Sequence, residues 1–233
     1  MSDFISNIGK YLPLFFTAFT VTISLALISL VLATVVGILV GLINTTKSKN
    51  IFMKLLRGLA NIYIEIIRGT PMLVQILFFC FGVPAALRPI TGFTWASVGG
   101  MFTAGIVVLT LNAGAYMAEI VRAGIESVDS GQVEAARSLG LPYGKTMRKV
   151  ILPQAIRTML PSIINQFIIT IKDTSLLSAV GVAELTNNAK TISSMWSSQT
   201  LLLYAFTGLF YFVICFTLSR VAKLLEKRMS YGR

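Results

Sequence analysis

The sequence predicts an all-α integral membrane domain with five transmembrane helices, N-terminus outside and C-terminus cytoplasmic. Three observations carry this expectation. Of the 233 residues, 55% are hydrophobic and only 12% are charged. No charged residue occurs between Lys10 and Lys47, from Gly69 to Leu87, from Pro89 to Ala118 or from Thr191 to Ser219. Each run reaches or exceeds the ~18 to 20 residues that cross a bilayer. The basic residues are also unevenly placed. Lys47, Lys49, Lys54 and Arg57 follow the first span, Arg122, Arg137, Lys145, Arg148, Lys149 and Arg157 follow the third, and Arg220, Lys223, Lys227, Arg228 and Arg233 close the chain. The other side holds only Lys10, Arg88 and Lys190, which orients the spans by the positive-inside rule.

The first span, about 14–43, is far longer than a ~7 to 15 residue signal core and should remain in the mature protein. The second, about 59–87, contains Arg68-Gly69-Thr70-Pro71. Pro71 has no N–H to give Ile67, so that carbonyl is free to face a cavity or take a water. A structural kink, with Glu65 and Arg68 paired at i,i+3, is the alternative. The third span, about 93–118, ends where Glu119 and Arg122 meet the cytoplasm, and Tyr116 and Glu119 are assigned to packing and helix registry. The fourth, about 154–182, carries Arg157, Lys172 and Asp173, so it reads as a span broken or flanked by functional charges. The fifth is about 199–220. Trp95, Trp196 and Tyr204 fall near the outer boundary as interfacial anchors. Every backbone amide in lipid needs a partner, and the alternation of barrel strands is missing, so the spans are helices. Without a linker or an internal repeat, residues 1–233 form a single domain.

The net charge of +11 reflects topology, because the basic residues sit in short loops without interleaved aromatics, against a nucleic-acid partner. Cys80 and Cys215 lie in apolar spans and are packing residues. Histidine is absent, which removes imidazole from any acid–base relay or metal site, and no carboxylate cluster replaces it. Covalent chemistry is not expected, so the chain is not expected to be an enzyme.

The segment about 124–153 is a polar loop with a pattern. Ala135, Ala136 and Leu139 recur at helical spacing beside Glu134, Arg137 and Ser138, and Gly140 and Pro142 stop the helix. A second short helix begins at Tyr143, and Pro153 opens span four. Glu134-Ala135-Ala136, Gly140 and Leu152-Pro153 resemble, in order and spacing, the EAA loop of ATP-binding-cassette importer permeases; Val150 replaces the usual isoleucine. Arg68-Gly69-Thr70-Pro71, the run from Ala115 to Arg122 and Lys172-Asp173-Thr174-Ser175-Leu176 are similar to the polar amino acid uptake permeases, so the resemblance covers nearly the whole chain.

The resemblance implies a type I importer, MetI-like transmembrane fold in the bacterial cytoplasmic membrane. The subunit would work as a homodimer or beside a similar permease, with two ATPase subunits and an external binding protein. ATP and Mg would belong to the ATPase, since this chain has no phosphate loop and binds no cofactor. The implied coupling residues are Glu134, Ala135, Ala136, Leu139, Gly140, Leu141 and Pro153. Glu134 would contact the ATPase, the alanines would permit close approach, and Gly140 would set the turn.

Polar groups at membrane depth are costly and mark a substrate path or a pairing site. Thr70 and Pro71 in span two, and Asn165, Gln166, Lys172, Asp173, Thr174 and Ser175 in span four, are the substrate-binding candidates. A neutral amide at Gln166 suits an uncharged polar solute such as glutamine. The other reading of Lys172 and Asp173 is a structural ion pair. The alternative function is a self-sufficient ion-coupled carrier using Lys172, Asp173 and Glu65. Size, the odd span count and the patterned loop stand against it.

Overall fold

The computed structural model describes residues 2–46, 48, 50–195 and 199–230, with the side chains of 2–8, 10, 225, 226 and 228–230 left aside. Trp196, Lys47, Lys49 and Arg233 lie outside the described residues. Among those described, all regular structure is helical: α1 (Ser2–Thr45), α2 (Ile51–Gly69), α3 (Met72–Leu77), α4 (Val83–Thr91), α5 (Gly100–Glu126), α6 (Ser130–Ser138), α7 (Tyr143–Thr146), α8 (Leu152–Asp173), α9 (Leu185–Met195) and α10 (Thr200–Ser230). Four segments of the described residues are long and apolar enough to cross a membrane: Tyr11–Thr45, Met72–Thr91, Gly100–Glu126 and Thr200–Leu224. The remaining predicted span, the fourth, is α8, a 22-residue helix more polar than these four.

The frame is built on α1 and α5, which run parallel. Ser29, Ala33, Gly37 and Gly41 recur every fourth residue and so share one face of α1. The Ser29 hydroxyl donates to the Ile106 carbonyl at 3.3 Å. A Cβ at Gly37 would overlap the Met117 side chain and lie 3.0 Å from its carbonyl carbon; one at Gly41 would lie 2.8 Å from the Ala118 oxygen. In lipid the hydrophobic effect does not press helices together, so small residues that let backbones touch supply the contact. Helix α8 and the turn that follows it run antiparallel to α5, with Met159 at Gly124 and Leu177 at Gly105. Helix α10 lies parallel to α1, joined through Phe15, Phe206 and Phe210 at one end and Ala26, Leu30 and Cys215 further along.

The predicted second span, 59–87, is corrected to two elements. The chain leaves helical geometry at Thr70, which is extended at φ −121° and ψ 146°, as the residue before a proline prefers. The crossing segment starts at Met72; α2 before it packs Ile64 and Ile67 against Ala115 and Ala118 of α5. The Ile67 carbonyl freed by Pro71 is taken by a side chain. The buried Gln75 amide donates to it at 2.7 Å and to the Thr70 carbonyl at 3.1 Å, while Gln75 Oε1 accepts from Asn112 Nδ2 at 2.9 Å. Gln75→Leu strands these buried groups, at about 1–3 kcal/mol for each unsatisfied one. It should lower the unfolding temperature of the purified protein by several degrees; an unchanged melting curve would contradict this role for Gln75.

Two π-helical turns, Phe78–Gly82 and Met147–Ile151, each stand just before a proline. A proline ring crowds the carbonyl four residues back, and widening the turn relieves that contact. In the first, Val83 N–H bonds the Phe78 carbonyl, but Pro84 has no N–H to continue the series to Phe79. Trp95 supplies one, its indole nitrogen 2.9 Å from the Phe79 oxygen. Trp95 is therefore a backbone partner.

The predicted fourth span, 154–182, stops being α-helical at Asp173. It continues as a tighter 3₁₀ turn, Thr174–Val180, closed by Gly181 at φ 80°. Beyond it the fully buried Glu184 accepts from the backbone N–H groups of Thr186 at 2.9 Å and Asn187 at 2.7 Å and from the Tyr211 hydroxyl at 2.7 Å. Tyr211 also lies 3.4 Å from the Thr174 hydroxyl, so one carboxylate ties α9, α10 and the end of α8 together.

Candidate functional site

Arg68, α5 and α8 enclose a cleft of about 500 Å³, lined by Tyr116, Glu119, Gly124, Ser127, Thr158, Met159, Ser162 and Gln166 among others. A second hollow of about 450 Å³ shares Tyr116, Ser162 and Gln166 with it and adds Pro161 and Asn165. Pro161 lies inside α8 and has no N–H for the Arg157 carbonyl, which loosens the helix beside the cleft. Gln166 is 4% exposed, and its Nε2 is buried without a hydrogen-bond partner. A buried amide donor left unmatched is costly and rare in native proteins. The residue lines both hollows.

Charges form a chain across the cleft wall. Arg68 Nη1 lies 3.2 Å from Glu119 Oε2, and Arg122 grips Glu119 with two bonds, 3.1 Å from Nε and 2.9 Å from Nη2. Arg122 Nη1 reaches Glu126 at 2.6 Å. The Arg68 guanidinium carbon sits 5.5 Å from the centre of the Tyr116 ring, a cation–π placement. The expected Glu65–Arg68 pair is replaced, because Arg68 reaches off its own helix to α5, where an aromatic face and a carboxylate hold it together. Tyr116 and Glu119, assigned on sequence to packing and registry, both line the cleft.

The candidates from the sequence therefore separate. Asn165 and Gln166 line the hollows. Thr70 and Pro71 sit at the helix break, where the Thr70 hydroxyl donates to Ile66 at 2.8 Å and accepts from Gln75. Lys172, Asp173, Thr174 and Ser175 lie about 9 Å or more beyond Gln166 along the helix and do not line this cleft. The Thr174 and Ser175 hydroxyls bond the carbonyls of Ile171 and Lys172, each at 2.7 Å. The described residues contain no ion pair between Lys172 and Asp173, which as sequence neighbours point in different directions.

The loop 124–153 folds as a hairpin. Asp129 caps α6 by accepting from Gly131 N–H at 2.8 Å, satisfying one orphan donor. At the other end Gly140 has φ 80°. Leu141 N–H bonds the Ala136 carbonyl at 3.1 Å and Gly140 N–H bonds that of Arg137 at 3.0 Å, the two bonds of a Schellman cap. Glu134, Ala135 and Leu139 face out, Leu139 at 83% exposure, while Ala136 at 5% is buried in the hairpin's own packing. Leu141 is half-buried, and Pro153 is exposed in the first turn of α8. Val133 and Met147 rest on Val121, Ile125, Ile151, Ala155 and Met159.

Residues 33–231 match the family described as binding-protein-dependent transport system inner membrane component. The glutamine transport system permease protein of Escherichia coli (strain K12) is 37% identical over 224 residues, 96% of either chain. A crystal structure of an amino acid ABC transporter with histidines superposes with a TM-score of 0.85 at 38% identity, covering 97% of this chain and 98% of that one. An inward-facing methionine ABC transporter, MetNI, shares the fold with a TM-score of 0.71 at 20% identity, covering 93% of this chain and 98% of that one.

Proposed function

The chain belongs to the family of inner membrane components of binding-protein-dependent transport systems, and from that premise we propose that it forms half of the path by which an ATP-driven bacterial importer moves a polar L-amino acid, glutamine among the candidates, across the cytoplasmic membrane. The other half is a second copy or a similar permease. ATP with Mg acts on separate ATPase subunits, and an external binding protein delivers the solute.

One observation carries this reading: a single apolar cluster joins the hairpin to the cleft. Met159 belongs both to the cluster under Val133 and to the cleft wall, and Gly124 and Ser127 of that wall flank Ile125 of the cluster. A push on the exposed face of α6 at Glu134, Ala135 and Leu139 is thereby transmitted to the place where α5 and α8 meet. Rigid elements moving as units are how such couplings travel. Family membership and this linkage both favour the importer over an ion-coupled carrier.

In the cleft, the Gln166 amide turns outward so that its unmatched donor meets an oxygen of the solute. Gln166→Glu adds a negative charge there and should raise the competition by arginine and lysine for uptake about tenfold relative to glutamine, a difference of about 1.4 kcal/mol. An unchanged competition profile would count against solute contact at Gln166.

A further inference from the structure

Away from the cleft, α1, α8 and α10 leave an apolar groove of about 400 Å³ between them, walled by Ala26 and Leu30 of α1, Phe167 and Ile171 of α8, and Val213 and Thr217 of α10 among others. The one hydroxyl in this lining, on Thr217, is spent on the Val213 carbonyl at 2.7 Å. The wall therefore offers an occupant hydrocarbon contact and no free hydrogen bond.

Cations stand at one end of the groove. Arg220 falls inside the apolar segment Thr200–Leu224, three residues and about 4.5 Å beyond Thr217 along α10. It is exposed, and its guanidinium carbon rests 4.7 Å from the centre of the Phe216 ring. Among the described residues no carboxylate pairs with Arg220, with the exposed Lys223 one turn further on, or with the exposed Arg157 near the start of α8, which runs antiparallel to α10. A charge within a lipid-facing segment is costly unless it finds a counter-charge. Hydrocarbon contact along the groove and unpaired cations at its end together match a molecule with an acyl chain behind an anionic head, and basic pockets between membrane helices take up such heads.

We propose that this groove is a phospholipid site. One acyl chain of an anionic glycerophospholipid lies along Leu30, Phe167 and Val213, and its phosphate is bound by Arg220, with Lys223 and Arg157 adding positive potential. A zwitterionic lipid fits the same groove, but its own ammonium group opposes these cations. The bound lipid holds α8, whose Gln166 lines the cleft, against α1 and α10.

The test is titration of the detergent-purified full chain with palmitoyl-oleoyl phosphatidylglycerol and with palmitoyl-oleoyl phosphatidylcholine, read by native mass spectrometry. The first phosphatidylglycerol should bind the natural chain at least about tenfold more tightly than the first phosphatidylcholine. Arg220→Gln should abolish that preference, while Lys190→Gln, on α9, leaves it intact. Val213→Trp, which fills part of the groove, should weaken the first binding of both lipids. Equal affinity of the natural chain for the two lipids overturns the proposal whether or not any variant folds. So does a preference that survives Arg220→Gln, a first affinity unchanged by Val213→Trp, or a second copy of the chain that displaces the lipid.

Discussion

Gly140→Val should leave the protein inserted in the membrane and uncouple ATP hydrolysis from uptake, with transport falling at least about tenfold. Gly140 has φ 80°, a left-handed backbone that costs an L-residue roughly 1–2 kcal/mol and a β-branched one more. A Cβ there would meet nothing within 4 Å, so the damage is not a clash. It falls on the turn, whose bonds from Leu141 to Ala136 and from Gly140 to Arg137 hold Leu139 outward and aim the chain at α7. On the proposed importer reading, relaxing that turn moves the exposed Glu134–Leu139 surface away from the ATPase while the buried cluster under Val133 stays in place. Uptake assays beside ATPase assays in reconstituted vesicles check this. Undiminished uptake would remove Gly140 from the coupling path.

Gly37→Leu should be the most damaging substitution to the fold. The new side chain would enter the α1–α5 contact, where its Cβ overlaps Met117 and has the Met117 carbonyl carbon at 3.0 Å and the Ala118 nitrogen at 3.1 Å. A side chain can rotate away, but a helix backbone yields only by separating the two helices. Overpacking ordinarily costs about 1–3 kcal/mol, and this site lies at or above the upper end. Folded protein recovered from membranes should drop several-fold, whereas Gly58→Ala, at a position with nothing within 4 Å, serves as the tolerated control. Equal recovery of both variants would show that the close approach of α1 and α5 is dispensable.

Features set by local chemistry were legible in the sequence. The helical fold follows from charge-free length, the hairpin from Gly140, Pro142 and Pro153, and the weak point at Pro71 from its missing N–H. Boundaries were less so, because a charge-free run carries the predicted second span through the weak point it contains, and hydropathy does not register the change of helix type after Asp173. What was missed depends on partners distant in sequence. Gln75 reaches eight residues back and pairs with Asn112, and Arg68 crosses to Glu119 in preference to its neighbour Glu65. Glu184 gave no signal in the sequence, and only the fold brings Tyr211 to it. The stripe Ser29, Ala33, Gly37, Gly41 carried a readable signal, small residues at i+4, which charge counting overlooks. In the site, Gln166 was identifiable as a polar group at depth. Lys172 and Asp173 shared that signal but point elsewhere.

The most direct measurement is gentle affinity purification of this subunit from its native membrane, with mass spectrometry of whatever remains in stoichiometric amounts. An ATPase that co-purifies with the natural chain and is released by changes at Glu134 or Gly140 is the expected result. A lone chain that moves amino acids in liposomes without ATP would contradict the importer mechanism.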